Sequence, residues 1–266
     1  MTIRIGRRTF LASLGALGLS RIARAQAAPA PGFAFAVLND LHVKDAASAD
    51  ALLPAIADIN ARKDVLFTAV IGDLASDALP EELTGAKRLL DNLTKPYHVL
   101  PGNHDATNEP GATLTAYEAV FGAPCWSHTY GGWHFLGLDS TEGTKSDVTV
   151  APERLAWLDT AVAALPAGAP VALLLHHPLN PHSKAFRIKN ADDILARFKD
   201  RPLRLAAAGH FHGNQDETHD NILFTTTACC SVTRGNHDGT KIKGYRLYHC
   251  NANQITAQFI PIPLGA

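Results

Sequence analysis

From residue 33 onward, short and largely apolar runs alternate with longer amphipathic stretches. The runs at 33–39, 65–71, 97–100, 134–138, 171–175 and 203–208 read as strands, and those without polar alternation suit burial on both faces. Between them, 48–63 carries Leu52, Leu53, Ile56 and Ile59 at helical spacing and predicts one helix. Further helices are predicted over 81–93, 113–121, 152–165 and 191–198, the third opening with Pro152 and Glu153 as helix starts prefer. The polar stretch 179–189 reads as a loop. Runs at 222–227, 245–249 and 255–260 follow with no helix between them, which predicts an antiparallel finish and mixed rather than purely parallel sheets. The rhythm is that of a layered α/β domain with no internal repeat and no linker.

The polar residues of most interest sit where the apolar runs stop. Asp40-Leu41-His42 ends the first, Gly72-Asp73 the second, Gly102-Asn103-His104-Asp105 the third, His176 another, and Gly209-His210-Phe211-His212 the last. In a layered α/β fold strand ends gather along one edge, so these residues are expected to meet in one crevice. Asp40 and His42, like His210 and His212, are two apart, so in extended backbone both members of a pair face the same way. Gly72, Gly102 and Gly209 precede candidate ligands, where absent side-chain bulk permits tight turns and close backbone approach. Asp40, His42, Asp73, Asn103, His176, His210 and His212 offer more donors than one metal needs. They suit two ions sharing a bridging carboxylate, with Asp73 the natural bridge. Any one of the seven has a bland reading, such as a turn former or an imidazole bonded to a carbonyl, but all seven in order do not.

Composition narrows the partners. The 266 residues are 46% hydrophobic and 18% charged, a globular balance. With 24 basic and 25 acidic residues, no general field recruits a nucleic acid polymer or an anionic membrane. Thirteen histidines raise the prior for a metal site. Residues 1–27 have the layout of a cleaved export signal: Arg7-Arg8-Thr9-Phe10-Leu11, a weakly apolar run to Ser20, then small residues with Ala-x-Ala sites. The arginine pair resembles a twin-arginine signal, implying a periplasmic or otherwise extracytoplasmic destination. The apolar run falls short of the roughly 20 residues a membrane span needs, and no other stretch could span a bilayer. Residues 28–266 then form the single functional domain. Cys125, Cys229, Cys230 and Cys250 lack metal-knuckle or redox spacing, and both free thiols and any disulfide pairing stay open.

Taken together, the five motifs resemble the calcineurin-like metallophosphoesterases, whose D-x-H, G-D, G-N-H-D/E, H and G-H-x-H motifs occur in this order. The resemblance covers 33–260 and implies a layered β-sandwich of mixed sheets flanked by helices. It also implies two metal ions (Fe, Mn or Zn), one held by Asp40, His42, Asp73 and His212, the other by Asp73, Asn103, His176 and His210. His104 is then the catalytic acid/base that binds no metal. Implied with it is phosphoester hydrolysis by metal-activated hydroxide without a covalent intermediate. Ser76 stands where the purple branch has a metal-binding Tyr, and Ser76-Asp77 where protein phosphatases have Asp-Arg; Asp77 is a candidate to orient His104.

The Gly-Asp-Leu, His-His-Pro and Gly-His-Phe-His segments look most like the branch with cyclic-nucleotide and glycerophosphodiester phosphodiesterases, which favours a small-molecule diester. Phosphomonoester hydrolysis is the alternative, and a non-catalytic metal- or phosphate-binding protein a more distant one. Asn108, His182, Lys184 and Arg187 are candidate substrate contacts, each with a competing reading as a solvated loop residue. His177 is expected to face away from the cluster and support it. Gly235-Asn236-His237-Asp238 repeats the third motif without a strand running into it and reads as a surface turn, although such a connection can lie near the mouth of this family's site.

Overall fold

The computed structural model describes residues 32–111, 113–183 and 185–264. The export-type segment 1–27 and Lys184 lie outside the described residues. In chain order the strands are β1 (Phe33–Leu38), β2 (Val65–Ile71), β3 (Tyr97–Leu100), β4 (Trp126–Tyr130), β5 (Trp133–Leu138) and β6 (Val171–Leu175). They continue as β7 (Leu203–Ala208), β8 (Gln215–His219), β9 (Ile222–Thr226), β10 (Gly244–Asn251) and β11 (Gln254–Pro261). The helices are α1 (Ala46–Asp50), α2 (Leu53–Ala61), α3 (Pro80–Leu90), α4 (Thr115–Phe121), α5 (Pro152–Ala163) and α6 (Ala191–Ala196).

Two mixed sheets result. The first has the order β11-β10-β1-β2-β3, with β1, β2 and β3 parallel and β10 antiparallel to both neighbours. The second has the order β4-β5-β6-β7-β9-β8, with β5, β6, β7 and β9 parallel and the edges β4 and β8 antiparallel. The period-two alternation of side chains divides each central strand between two cores. Ala34, Ala36 and Leu38 pack with Leu52, Ile56, Leu83 and Tyr117 from the helical layer, while Phe33, Phe35 and Val37 face Phe135, Leu174 and Leu205 of the other sheet. Likewise Val171, Leu173 and Leu175 pack with Leu158 and Ile194, leaving Ala172 and Leu174 between the sheets. The described residues contain no helix long and apolar enough to cross a membrane.

The structure corrects one expected helix, adds two strands and resolves where the last strands pair. The single helix over 48–63 is two: α1 starts from a reciprocal Asp45–Ser48 cap, and α2 starts afresh with Pro54 in its first turn, where a missing N–H breaks no helical bond. Strands β4 and β8 carried no apolar signal because both are edge strands, and Gln215–His219 is polar throughout. The expected mixed sheets are present, with the last three strands divided between them. β9 pairs in parallel with β7, whereas β10 and β11 cross to the first sheet. Buried Arg246 ties this crossover to the second sheet, its Nη1 donating to Asp216 Oδ1 at 2.6 Å and its Nη2 to the Thr226 carbonyl at 2.8 Å.

Candidate metal centre

The C-terminal ends of β1, β2 and β3 from one sheet, and of β6 and β7 from the other, open onto one rim. Beyond β1 and β2 the two loops run side by side, with Asp40 N bonded to the Gly72 carbonyl at 3.0 Å and His42 N to the Asp73 carbonyl at 2.9 Å. Asp40, His42, Asp73, His210 and His212 all have positive φ, between 46° and 61°. That region costs an L-residue roughly 1–2 kcal/mol, so its use at five neighbouring polar positions marks backbone held for the sake of side-chain direction. A side chain on Gly72 would run into His176, and one on Gly102 into Asp73, so these turns close only with glycine. Asp105 braces them from behind: its carboxylate accepts from Leu74 N at 3.1 Å, Ala75 N at 2.8 Å and Gly102 N at 2.8 Å.

All seven expected ligand residues are buried and come together. Asp40, His42, Asp73 and His212 each place one ligand atom within 4.8 Å of the others, as do His176, His177 and His210. Backbone carbonyls settle the tautomers. His176 Nδ1 donates to the Ile71 carbonyl at 3.0 Å, His210 Nε2 to the Ser146 carbonyl at 3.1 Å, and His212 Nδ1 to the Gly235 carbonyl at 2.9 Å. Each remaining ring nitrogen is therefore the position open to a second proton or to a metal. His176 Nε2 faces Asn103 Oδ1 at 3.2 Å, Asp73 Oδ1 at 3.3 Å and His210 Nδ1 at 3.2 Å. His212 Nε2 faces Asp40 Oδ1 at 3.2 Å and His42 Nε2 at 3.3 Å. Each of these close pairs needs positive charge between its two acceptors, which either a proton on the ring nitrogen or a bound cation supplies. The donor set of imidazole, carboxylate and amide oxygen fits a transition-metal ion.

The charges agree. Burial opposes ionisation of Asp40, yet His212 beside it holds its carboxyl at about 2. Burial likewise opposes Asp73, which His176 nevertheless draws well below the ordinary carboxylate range. Although burial disfavours imidazolium, Asp73 raises His176 to about 9 and Asp40 raises His212 to about 11, whereas burial takes His42 and His210 down to about 3. Two buried carboxylates thus draw two protons onto the cluster, the positive charge that bound metal replaces.

The sequence profile of the calcineurin-like phosphoesterases matches residues 33–214. The chain belongs to this family. Among curated proteins, it is 26% identical over 172 residues to a probable cyclic nucleotide phosphodiesterase of Fibrobacter succinogenes, covering 62% of this chain and 64% of that one. It is 26% identical over 179 residues to a 3',5'-cyclic-nucleotide phosphodiesterase of Nostoc, covering 65% of each chain. It is 25% identical over 174 residues to a probable glycerophosphodiester phosphodiesterase of Arcobacter nitrofigilis, covering 62% of each. The chain thus spans a little under two thirds of the length of these relatives. Among solved structures, a purple acid phosphatase from yellow lupin superposes with a TM-score of 0.68 at 12% identity, over 87% of this chain and 52% of that one. A dimetal phosphatase from Danio rerio gives 0.59 at 14% identity, over 89% of this chain and all of that one. Both share the two-sheet fold.

In this calcineurin-like chain a cleft of about 350 Å³ lies over the cluster, walled by His104, Ser146, Phe186 and residues 234–237. His104 is half-buried, with its Nδ1 donating to the Ser76 carbonyl at 2.7 Å. Asp77, expected to orient it, is exposed, its backbone N–H bonded to Glu82; a main-chain carbonyl orients the ring instead. His177 does not face away. The chain bends after β6, bringing its ring to 4.4 Å from that of His210, with Nδ1 paired to Ser140 Oγ at 2.9 Å.

None of the described candidate substrate contacts lines the cleft. Both ends of the Asn108 amide are spent on Thr144, at 2.8 and 3.1 Å. His182 pairs with Glu217 of β8, and Arg187 with Asp192 of α6 at 2.6 Å. The loop delivers Phe186 instead, whose ring meets His210 edge-on at 4.8 Å. The Gly235-Asn236-His237-Asp238 turn is exposed as expected, yet residues 235–237 form cleft wall: His212 donates to the Gly235 carbonyl, and His237 N to the His212 carbonyl at 3.1 Å. The repeat of the third motif was the available signal, and Arg234 beside it carried none. All four cysteines are free thiols, three of them buried.

Proposed function

We propose that this chain is an exported, binuclear metal-dependent phosphodiesterase acting on small phosphodiesters. The reading is carried by the rim cluster, in which ring nitrogens and side-chain oxygens from five strand ends converge to 3.2–3.3 Å of one another. Asp40, His42, Asp73 and His212 would hold one ion and Asp73, Asn103, His176 and His210 the other. Asp73 suits the bridge: its Oδ2 lies 3.5 Å from His42 Nε2 and its Oδ1 3.3 Å from His176 Nε2, one oxygen toward each half. Two bound cations would supply Lewis acidity, making a water acidic near neutral pH and offsetting phosphoryl charge.

His104 has its Nδ1–H committed to Ser76, which leaves Nε2 to carry a proton to the departing alkoxide. Its backbone N–H donates to Asp73 Oδ1 at 2.9 Å, coupling the proton donor to the bridging carboxylate. Ser146 and Gly235 fix the rings of His210 and His212 through their carbonyls. Preference for diesters rests on the names of the relatives, and export rests on the sequence of residues 1–27. The test is turnover of bis(p-nitrophenyl) phosphate against p-nitrophenyl phosphate after reconstitution with Mn²⁺, Zn²⁺ or Fe. The expected result is diester preference. Monoester preference would make the chain a phosphatase, and no turnover with any metal would leave a binding protein.

A further inference from the structure

Among the described residues, Arg234 is the one arginine or lysine on the wall of the cleft. Arg62, Arg154, Arg187, Arg197 and Arg246 each hold a carboxylate. The Arg234 guanidinium holds none among the described residues, although Asp73 lines the same cleft. Its backbone is secured on both sides. The Arg234 carbonyl accepts from Lys243 Nζ at 2.6 Å, and the next carbonyl, of Gly235, accepts from the candidate ligand His212 at 2.9 Å. Asn236 Oδ1 accepts from Cys229 N at 3.2 Å, its Nδ2 donates to the Ile242 carbonyl at 2.6 Å, and His237 N returns to the His212 carbonyl. Beneath the loop, Lys243 Nζ also lies 2.8 Å from the buried Cys229 Sγ. The main chain is therefore pinned to the floor of the site while the charged end of the side chain is left unengaged.

We propose that Arg234 is a substrate-binding residue that takes the non-bridging oxygens of the phosphoryl group, with Lys243 a positioning residue that holds its loop. A guanidinium presents a planar fork of donors matched to two phosphoryl oxygens, and a cation left unpaired in a cleft is desolvated at little loss of existing partners. The proposal rests on the phosphoesterase reading of the same cleft, and its test includes a measurement that needs no turnover.

Arg234→Gln, Arg234→Lys and Lys243→Met are compared with the unmodified, metal-loaded protein. KM and kcat are measured with bis(p-nitrophenyl) phosphate, the Kd of inorganic phosphate by titration calorimetry, and metal content by elemental analysis. Arg234→Gln should raise KM and the phosphate Kd about tenfold, the loss of one charge-assisted contact, with kcat held and metal content unchanged. Arg234→Lys should fall between it and the parent, and Lys243→Met should move KM the same way by less. Unchanged KM and phosphate Kd in Arg234→Gln, a fall confined to kcat, or loss of metal would each overturn the assignment. A parent protein that binds phosphate but hydrolyses neither ester would sink the functional reading, while the phosphate titrations would still decide the role of Arg234.

Discussion

Between the two sheets, Phe35 lies flat against Phe67 and Tyr248, at 5.0 and 4.9 Å, and meets Phe135 edge-on at 5.0 Å. At the end of the same strand β1, Asp40 and His42 join the sheets by a different chemistry, with a buried carboxylate and an imidazole facing His212. The ring contacts need nothing beyond the chain: apolar area leaves water, and strand backbone holds the rings. At the rim the backbone turns through positive φ, charge is buried, and the arrangement is complete only with added positive charge. The interior accounts for stability and the rim for chemistry, and damage to one should leave the other largely intact.

The sharpest break comes from Asp73→Ala. It removes the carboxylate that faces both halves of the cluster, so turnover should fall at least about a thousandfold and bound metal should drop, while the aromatic interior keeps the protein folded. Activity assays with elemental analysis and circular dichroism check the three parts. His104→Ala should lower kcat about 10²–10⁴-fold with metal content unchanged, separating proton transfer from metal holding within the rim. An emptied site in that variant would mean that His104 is a ligand.

Phe35→Ala attacks the other region. It should lower unfolding free energy by about 3–5 kcal/mol in denaturant titrations, with KM and metal stoichiometry of the folded fraction unchanged. Asp105→Ala lies on the boundary, because it strips three backbone N–H groups of their acceptor behind the ligand turns. A stability loss of about 2–4 kcal/mol together with weaker metal retention is expected, and stability loss without metal loss would show the brace to be purely structural. His182→Ala and Asp77→Ala should change kcat/KM less than about twofold, since neither side chain reaches the cleft.

How much of this was readable beforehand follows from the same contrast. The ligand residues were legible because each interrupts or ends an apolar run, and Gly72 and Gly102 announced the close approaches the structure shows. Central strands were legible for the same reason, and edge strands such as Gln215–His219 were not. The parts that fix ring orientation are main-chain carbonyls of Ile71, Ser76, Ser146 and Gly235, and a carbonyl has no residue-specific signature. Arg234 and Phe186 sit in connections without periodicity, so only the folded chain places them over the cluster. His182 and Arg187 came from the right loop, but partners on β8 and α6 draw both away.

Anomalous diffraction from crystals of the metal-loaded protein tests the central claim most directly. Two peaks about 3.5–4 Å apart are predicted, one against Asp40, His42 and His212, the other against Asn103, His176 and His210, with Asp73 between them. An active protein with no peak at this rim, or with metal bound only elsewhere, would contradict the account.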